Sequence, residues 1–207
     1  MRLCLLTILA ICTFAPPNGG VCSGQESQSN GKLMQQAQKE YADGQLAEAE
    51  RDFRELTKRL PSNIYVHVYL GQCLFELHKF GEAIEPYEKA RNLEKSGSKL
   101  TSDQHRILTD QLAMSYGMIG ELRKVHALLN DAVLQDPEYP LNYYNLACAF
   151  AEEGDKAKML ANLSLAFQHK DHVVKGETLP DPRSDPSFRN YVQDPDFMQL
   201  MKENRVK

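Results

Sequence analysis

The chain has no tryptophan among its 207 residues, and three of its five cysteines, Cys4, Cys12 and Cys22, crowd into the first segment. Only Cys73 and Cys148 remain beyond it, each inside an apolar helical pattern. They read as two buried small residues, which excludes a disulfide framework as the basis of the fold. There is no basic patch interleaved with aromatics, and the formal charge is -4, so the composition argues against nucleic acid or anionic lipid as partner. Linear signatures of catalysis are missing too: no phosphate-cradling glycine loop, no His-Glu-x-x-His, no Cys-x-x-Cys pair and no Gly-x-Ser-x-Gly. The apolar stretch from Leu3 to Ala15 falls short of the ~20 residues that a membrane-spanning helix needs.

That stretch has another reading. Met1-Arg2 precedes it, and Pro16-Pro17 and small residues ending in Val21-Cys22-Ser23-Gly24 follow it. The order of basic, apolar and small segments is that of a secretory signal peptide, expected over 1–24 and removed from a periplasmic or secreted mature chain. Lipid anchoring is disfavoured, because lipoproteins carry a small residue before the modified cysteine, whereas Ile11 precedes Cys12 and Val21 precedes Cys22. Residues 25–31 are polar and aperiodic and are expected to form a flexible leader.

From Lys32 the chain repeats itself. Ala37 and Gly71, Ala49 and Ala83, Phe53 and Tyr87, Ala113 and Ala147, Val125 and Met159, and Leu129 and Leu163 are all 34 residues apart. Between the second and third copies the step from Gly71 to Ala113 is 42, so eight residues, 98–105, are inserted there. Each copy holds two helical stretches. The first members are expected at 32–43, 64–77, 102–119 and 140–153, and the second at 46–59, 80–93, 121–134 and 155–169. Gly44, Gly120 and Gly154 fall at the turns between members, with His78 in that place in the second copy. Small residues at 37, 71, 113 and 147 let paired helices lie close, while Leu70, Leu112 and Leu146 fill the space between units. One helix pair cannot bury its own apolar face, so the units must stack.

These motifs resemble the tetratricopeptide repeat (TPR). The second copy reads Tyr69-Leu70-Gly71-Gln72-Cys73-Leu74, then Phe80-Gly81-Glu82-Ala83-Ile84 and Tyr87-Glu88-Lys89-Ala90; the fourth carries Tyr143 to Phe150, Gly154-Asp155 and Ala166. The resemblance covers 32–169, with repeats near 30–63, 64–97, 106–139 and 140–170. It implies an all-α, right-handed solenoid of helix-turn-helix units. Departures are Leu56, Val125 and Met159, larger than the usual alanine, Glu40 in place of an aromatic, and Pro86 inside a helix.

The segment 170–207 differs, with Asp181-Pro182, Asp185-Pro186 and Asp194-Pro195. Aspartate before proline is a helix start, the carboxylate capping and the proline in the first turn. Two short helices are expected, near 186–192 and 195–203, covering the end of the stack; the resemblance extends to bacterial members with such tails.

His169-Lys170-Asp171-His172 is the nearest approach to a metal cluster, and His169 falls equally well at a helix C-terminus; neither metal nor cofactor is expected. The sequon Asn162-Leu163-Ser164 is mid-helix. The resemblance instead implies a concave groove lined by first helices: Tyr41, Tyr65, Val68, Gln72, Phe75, Asp110, Met114, Met118, Tyr144 and Cys148. An aromatic, methionine-rich surface of this kind suits a protein or peptide segment held by burial, with no catalysis. The alternative occupant is a hydrophobic small molecule. A chaperone-tail carboxylate clamp is excluded, since Met34, Gln38, Asp110 and Met114 stand where cations and asparagine are required.

Overall fold

The computed structural model describes residues 24–204, which form helices joined by turns and loops, with no strand among the described residues. The expected signal peptide, 1–24, lies outside them but for Gly24. The described chain divides between Thr101 and Ser102, inside the inserted segment, into two compact units.

The first unit contains α1 (Gly24–Ala42), α2 (Leu46–Arg59), α3 (Ile64–Glu76) and α4 (Phe80–Lys95), each packed on the next. The second contains α5 (Ser102–Met118), α6 (Leu122–Gln135), α7 (Pro140–Glu153) and α8 (Lys156–Gln168), again packed in succession, with α5 also touching α7. A 3-10 turn (Pro186–Phe188) and α9 (Pro195–Glu203) follow. This is the all-α arrangement of paired helices that the 34-residue period implies.

Two expectations need correction. Residues 25–31 are not a loose leader but the first turns of α1. Asn30, Met34 and Ala37 are all buried, a helical stripe that the polar composition conceals, and Arg59 at the end of α2 donates to Asn30 Oδ1 at 3.4 Å. The first tail helix is also shorter than the expected 186–192. After Phe188 the chain closes i to i+3 bonds, from Tyr191 N to Phe188 O at 2.7 Å and from Asp194 N to Tyr191 O at 2.8 Å, which make tight turns and no helix.

The turns between helix partners behave as their residues dictate. Gly44, Gly120 and Gly154 have φ of 77°, 81° and 79°, the left-handed backbone that ends a helix. His78 takes the same conformation at 59° with a side chain attached.

A close helix approach lies within the second copy. A Cβ built on Gly71 would stand 2.4 Å from Cε1 and 2.5 Å from Cδ1 of Tyr87, whose ring is fully buried. In the other copies alanine is tolerated at that place, and the residue equivalent to Tyr87 is Phe53, Leu129 or Leu163. Replacing Gly71 by alanine should therefore overpack the α3–α4 contact and cost about 1–3 kcal/mol in urea unfolding. Adding Tyr87→Leu should recover part of the loss attributable to Gly71→Ala; simple additivity of the two changes would show that this contact is not the cause.

Candidate binding groove

In the first unit the candidate residues come from α1 and α3. Positions 65, 68, 72 and 75 share one face of α3, and Asn63 fixes the start of that helix by accepting from Tyr65 N at 3.0 Å. Almost all of α3 is buried, so the face is only partly free. Val68 is 2% exposed, and Gln72 and Phe75 are 6% exposed each, with Phe75 edge-on against Phe80 at 5.3 Å. Tyr41 and Tyr65 keep accessible surface. Tyr41 leans edge-on against Tyr69 at 6.2 Å, and Tyr69 stacks on Phe53 at 5.1 Å.

In the second unit α5 presents Asp110, Met114 and Met118 one turn apart, each partly accessible. Tyr144 and Cys148, one turn apart on α7, are buried under the chain's own tail. The Tyr144 hydroxyl donates to Asp185 Oδ2 at 3.0 Å, and the Cys148 thiol lies 3.8 Å from the same oxygen. Asp185 Oδ1 accepts from Ser187 N at 2.9 Å, so this one carboxylate both caps the 3-10 turn and docks it. Phe188 sits edge-on to Tyr144 at 5.7 Å and 5.9 Å from Phe197, both phenylalanines fully buried. Further along, the Tyr191 hydroxyl donates to the Ala151 carbonyl at 3.4 Å, and Lys156 bridges Asp194 and Asp196. Sequence reasoning assigns Tyr144 and Cys148 to a free groove; the structure gives them an occupant already.

A second polar cluster lies beside that contact. Asp110 accepts a short hydrogen bond from the Asn145 amide, and Glu177 accepts from the Tyr139 hydroxyl at 3.0 Å and from Val174 N at 3.2 Å. Arg106 forks onto Asp136 at 2.6 and 3.2 Å and lies 4.8 Å over the Tyr139 ring. Burial pushes the Asp110 carboxyl up to about 7, helped by the nearby Glu177 carboxylate and opposed by the Asn145 hydrogen bond. Glu177 is raised as well, again by burial, against the bonds from Tyr139 and Val174. Neither Glu177 nor the docking use of Asp185 is visible in sequence. The first stands in a polar connection, and the second is hidden behind an ordinary capping role.

Each unit carries a concavity. A pit lined by Met114, Asn145 and Cys148, among others, holds about 10 Å³, at the lower limit for one water molecule. A trough of about 530 Å³ runs between α2 and α4 over His67 and Leu70. Its walls carry charges that partly pair with one another, as Arg54 does with Glu82 at 2.6 Å, so it lacks the apolar lining of ligand pockets. Among the described residues no three His, Cys, Asp or Glu side chains gather as metal ligands. The His169 and His172 rings are 6.0 Å apart, and His169 stacks on Tyr143 at 5.9 Å.

The helix-pair geometry has counterparts among solved structures. A crystal structure of MamA superposes with a TM-score of 0.66 at 18% identity, covering 87% of this chain and 94% of that one. YrrB, described as a TPR protein with an unusual peptide-binding site, matches with a TM-score of 0.60 at 10% identity over 89% of this chain and 93% of its own. A tetratricopeptide repeat protein from Parabacteroides merdae matches with a TM-score of 0.61 at 17% identity, covering 85% and 67%. The fold is that of the tetratricopeptide-repeat proteins. No family model matches the sequence, and no curated protein does so either. A TPR architecture accounts for both the 34-residue step and the placement of the candidate residues on first helices.

The two raised carboxyls give the second unit a defined pH response. Folding holds Asp110 in its neutral form, so its contribution is complete below the usual aspartate value of 3.8 and is lost as pH rises toward about 7. The lowered carboxyls Glu50, Asp155, Asp181 and Asp194 act in the opposite sense and lose their contribution on acidification, in a more acid window. Urea midpoints measured from pH 4 to 8 should therefore fall less steeply for Asp110→Asn than for the wild type, since an amide still accepts from Asn145 and has no charge to bury. Parallel curves would show that Asp110 titrates as an ordinary surface acid.

Proposed function

We propose that the protein is an exported, non-catalytic scaffold that holds a segment of another protein against the first-helix face of its repeats. The carrying observation is that aromatic and methionine side chains on the first helices stay accessible: Tyr41 and Tyr65 in the first unit, Met114 and Met118 in the second. Buried Val68, Gln72 and Phe75 act as the floor beneath the two tyrosines, supplying rigidity in place of direct contact. Tyrosine buries a large area at a low ordering cost, and methionine adapts to an irregular guest. The peptide-binding site ascribed to YrrB, on the same fold, supports a peptide or protein guest. The small size of the pit at Met114 and Cys148 weighs against a small-molecule carrier. Export rests on the basic, apolar and small order of 1–24, and no described helix is long and apolar enough to cross a membrane.

Affinity capture with the native-length protein tests the binding face. Tyr41→Ala and Tyr65→Ala should each lose the partner retained by the wild type, without a change in melting temperature; identical partner sets from all three baits would remove the face from the account. For export, N-terminal sequencing of protein recovered outside the cytoplasm should begin close to residue 25. Recovery of an intact Met1 there would refute cleavage.

A further inference from the structure

The way the tail is held on α7 differs from the way the repeats hold one another. Repeat helices meet through small residues and apolar or aromatic side chains, as at Gly71 and Tyr87 and at Phe53 and Tyr69, with no carboxylate in these contacts. The tail is seated by a carboxylate, a proline turn and an aromatic: Asp185, Pro186 and Phe188. The side-chain contacts of Asp185 and Phe188 with α7 fall on Tyr144 and Cys148, two residues that the repeat pattern directs toward a guest. The partners that the structure gives Asp185 are neutral donors, a hydroxyl, a thiol and a backbone N–H, while the residue itself is 4% exposed. The Tyr144 hydroxyl and the Cys148 thiol belong to α7, whereas the N–H is that of Ser187 in the tail itself. Burying a carboxylate with hydrogen bonds and no countercharge is costly, so the hydroxyl and thiol pair is what α7 offers an anion. The aromatic step beside it is equally built, because Phe188 is wholly enclosed by contacts that include Tyr144 and Phe197. The segment that leads in, 170–184, has no regular secondary structure, and Lys170, Asp171, Lys175 and Gly176 are exposed.

We infer that the α7 face of the last repeat is a receptor for a peptide in which an aspartate is followed by proline, serine and an aromatic residue, and that the chain's own 185–188 segment is its resident ligand. The inference deepens the binding role proposed above by naming the guest chemistry at one end of the repeats and the contact that regulates entry. A tethered segment acts at an effective concentration on the order of millimolar, so a free peptide of the same chemistry gains access only when the tail is released.

The test uses the full chain and a fluorescent synthetic peptide spanning residues 178–204. Wild-type protein should bind it weakly, since the seat is filled. A chain carrying Asp185→Asn with Phe188→Ala should bind it at least about tenfold more tightly, and a peptide bearing the same two changes should lose that gain. Equal binding by wild type and variant, or binding indifferent to the changes in the peptide, overturns the proposal. If the double variant loses helical structure, a protease site inserted between exposed Lys170 and Asp171 replaces it. After nicking, the retained fragment should exchange with labelled peptide while the helical signal of the repeats persists; failure to exchange, or collapse of the repeats on exchange, makes the tail part of the fold and refutes the receptor. These results are independent of capture through Tyr41 and Tyr65: loss of the peptide effect leaves that capture standing, and failure of capture leaves the peptide result intact.

Discussion

The pairing of α3 with α4 depends on a small residue of the first helix, Gly71, meeting a large one of the second, Tyr87. There is no slack there, the Tyr87 ring occupying the space that any side chain on Gly71 would need. The same demand places Ala37, Ala113 and Ala147 at zero to two per cent exposure 34 residues from their equivalents. Because this contact recurs at a fixed step, it also fixes which side chains of each first helix are turned away from the pair. The candidate groove is a by-product of that packing rule, and its composition can vary without disturbing the pairs.

Much of the architecture was legible in the sequence for this reason. A small-to-large contact repeated every 34 residues leaves a periodic trace, and the limits of α2 and α7 and the left-handed turns at 44, 78, 120 and 154 follow from it. What escaped is what has no period. The helical character of 25–31 rests on a buried stripe that starts with a polar residue, Asn30, and its bond to Arg59, separated from it by 29 positions. The shortened 3-10 turn after Asp185 reflects a docking contact with Tyr144, 41 residues away. Local pattern predicts local geometry, and both misses were decided by contacts across the unit.

The candidate site divides along the same line. Tyr41, Tyr65, Met114 and Met118 remain accessible where the repeat pattern put them, while Val68, Gln72 and Phe75 are enclosed and Tyr144 and Cys148 are covered by the tail. Repeat position says where a side chain points and is silent on what else comes to lie there. The neighbouring acids Asp110 and Glu177 show the other limit. Their shared environment arises from a residue of α5 and a residue of an irregular segment, brought together around Tyr139 and Asn145 with no motif to announce it.

The two thiols beyond the leader carry one more implication. Cys73 and Cys148 are unpaired, enclosed, and shifted by burial away from ionisation. Since the thiolate is the species that attacks a disulfide or meets an oxidant, both sulfurs are chemically quiet in the native state. Neither of these two sulfurs is open to mispairing once α3 and α7 are packed. The vulnerable interval is the one before α3 and α7 are packed, when the same sulfurs are open to solvent.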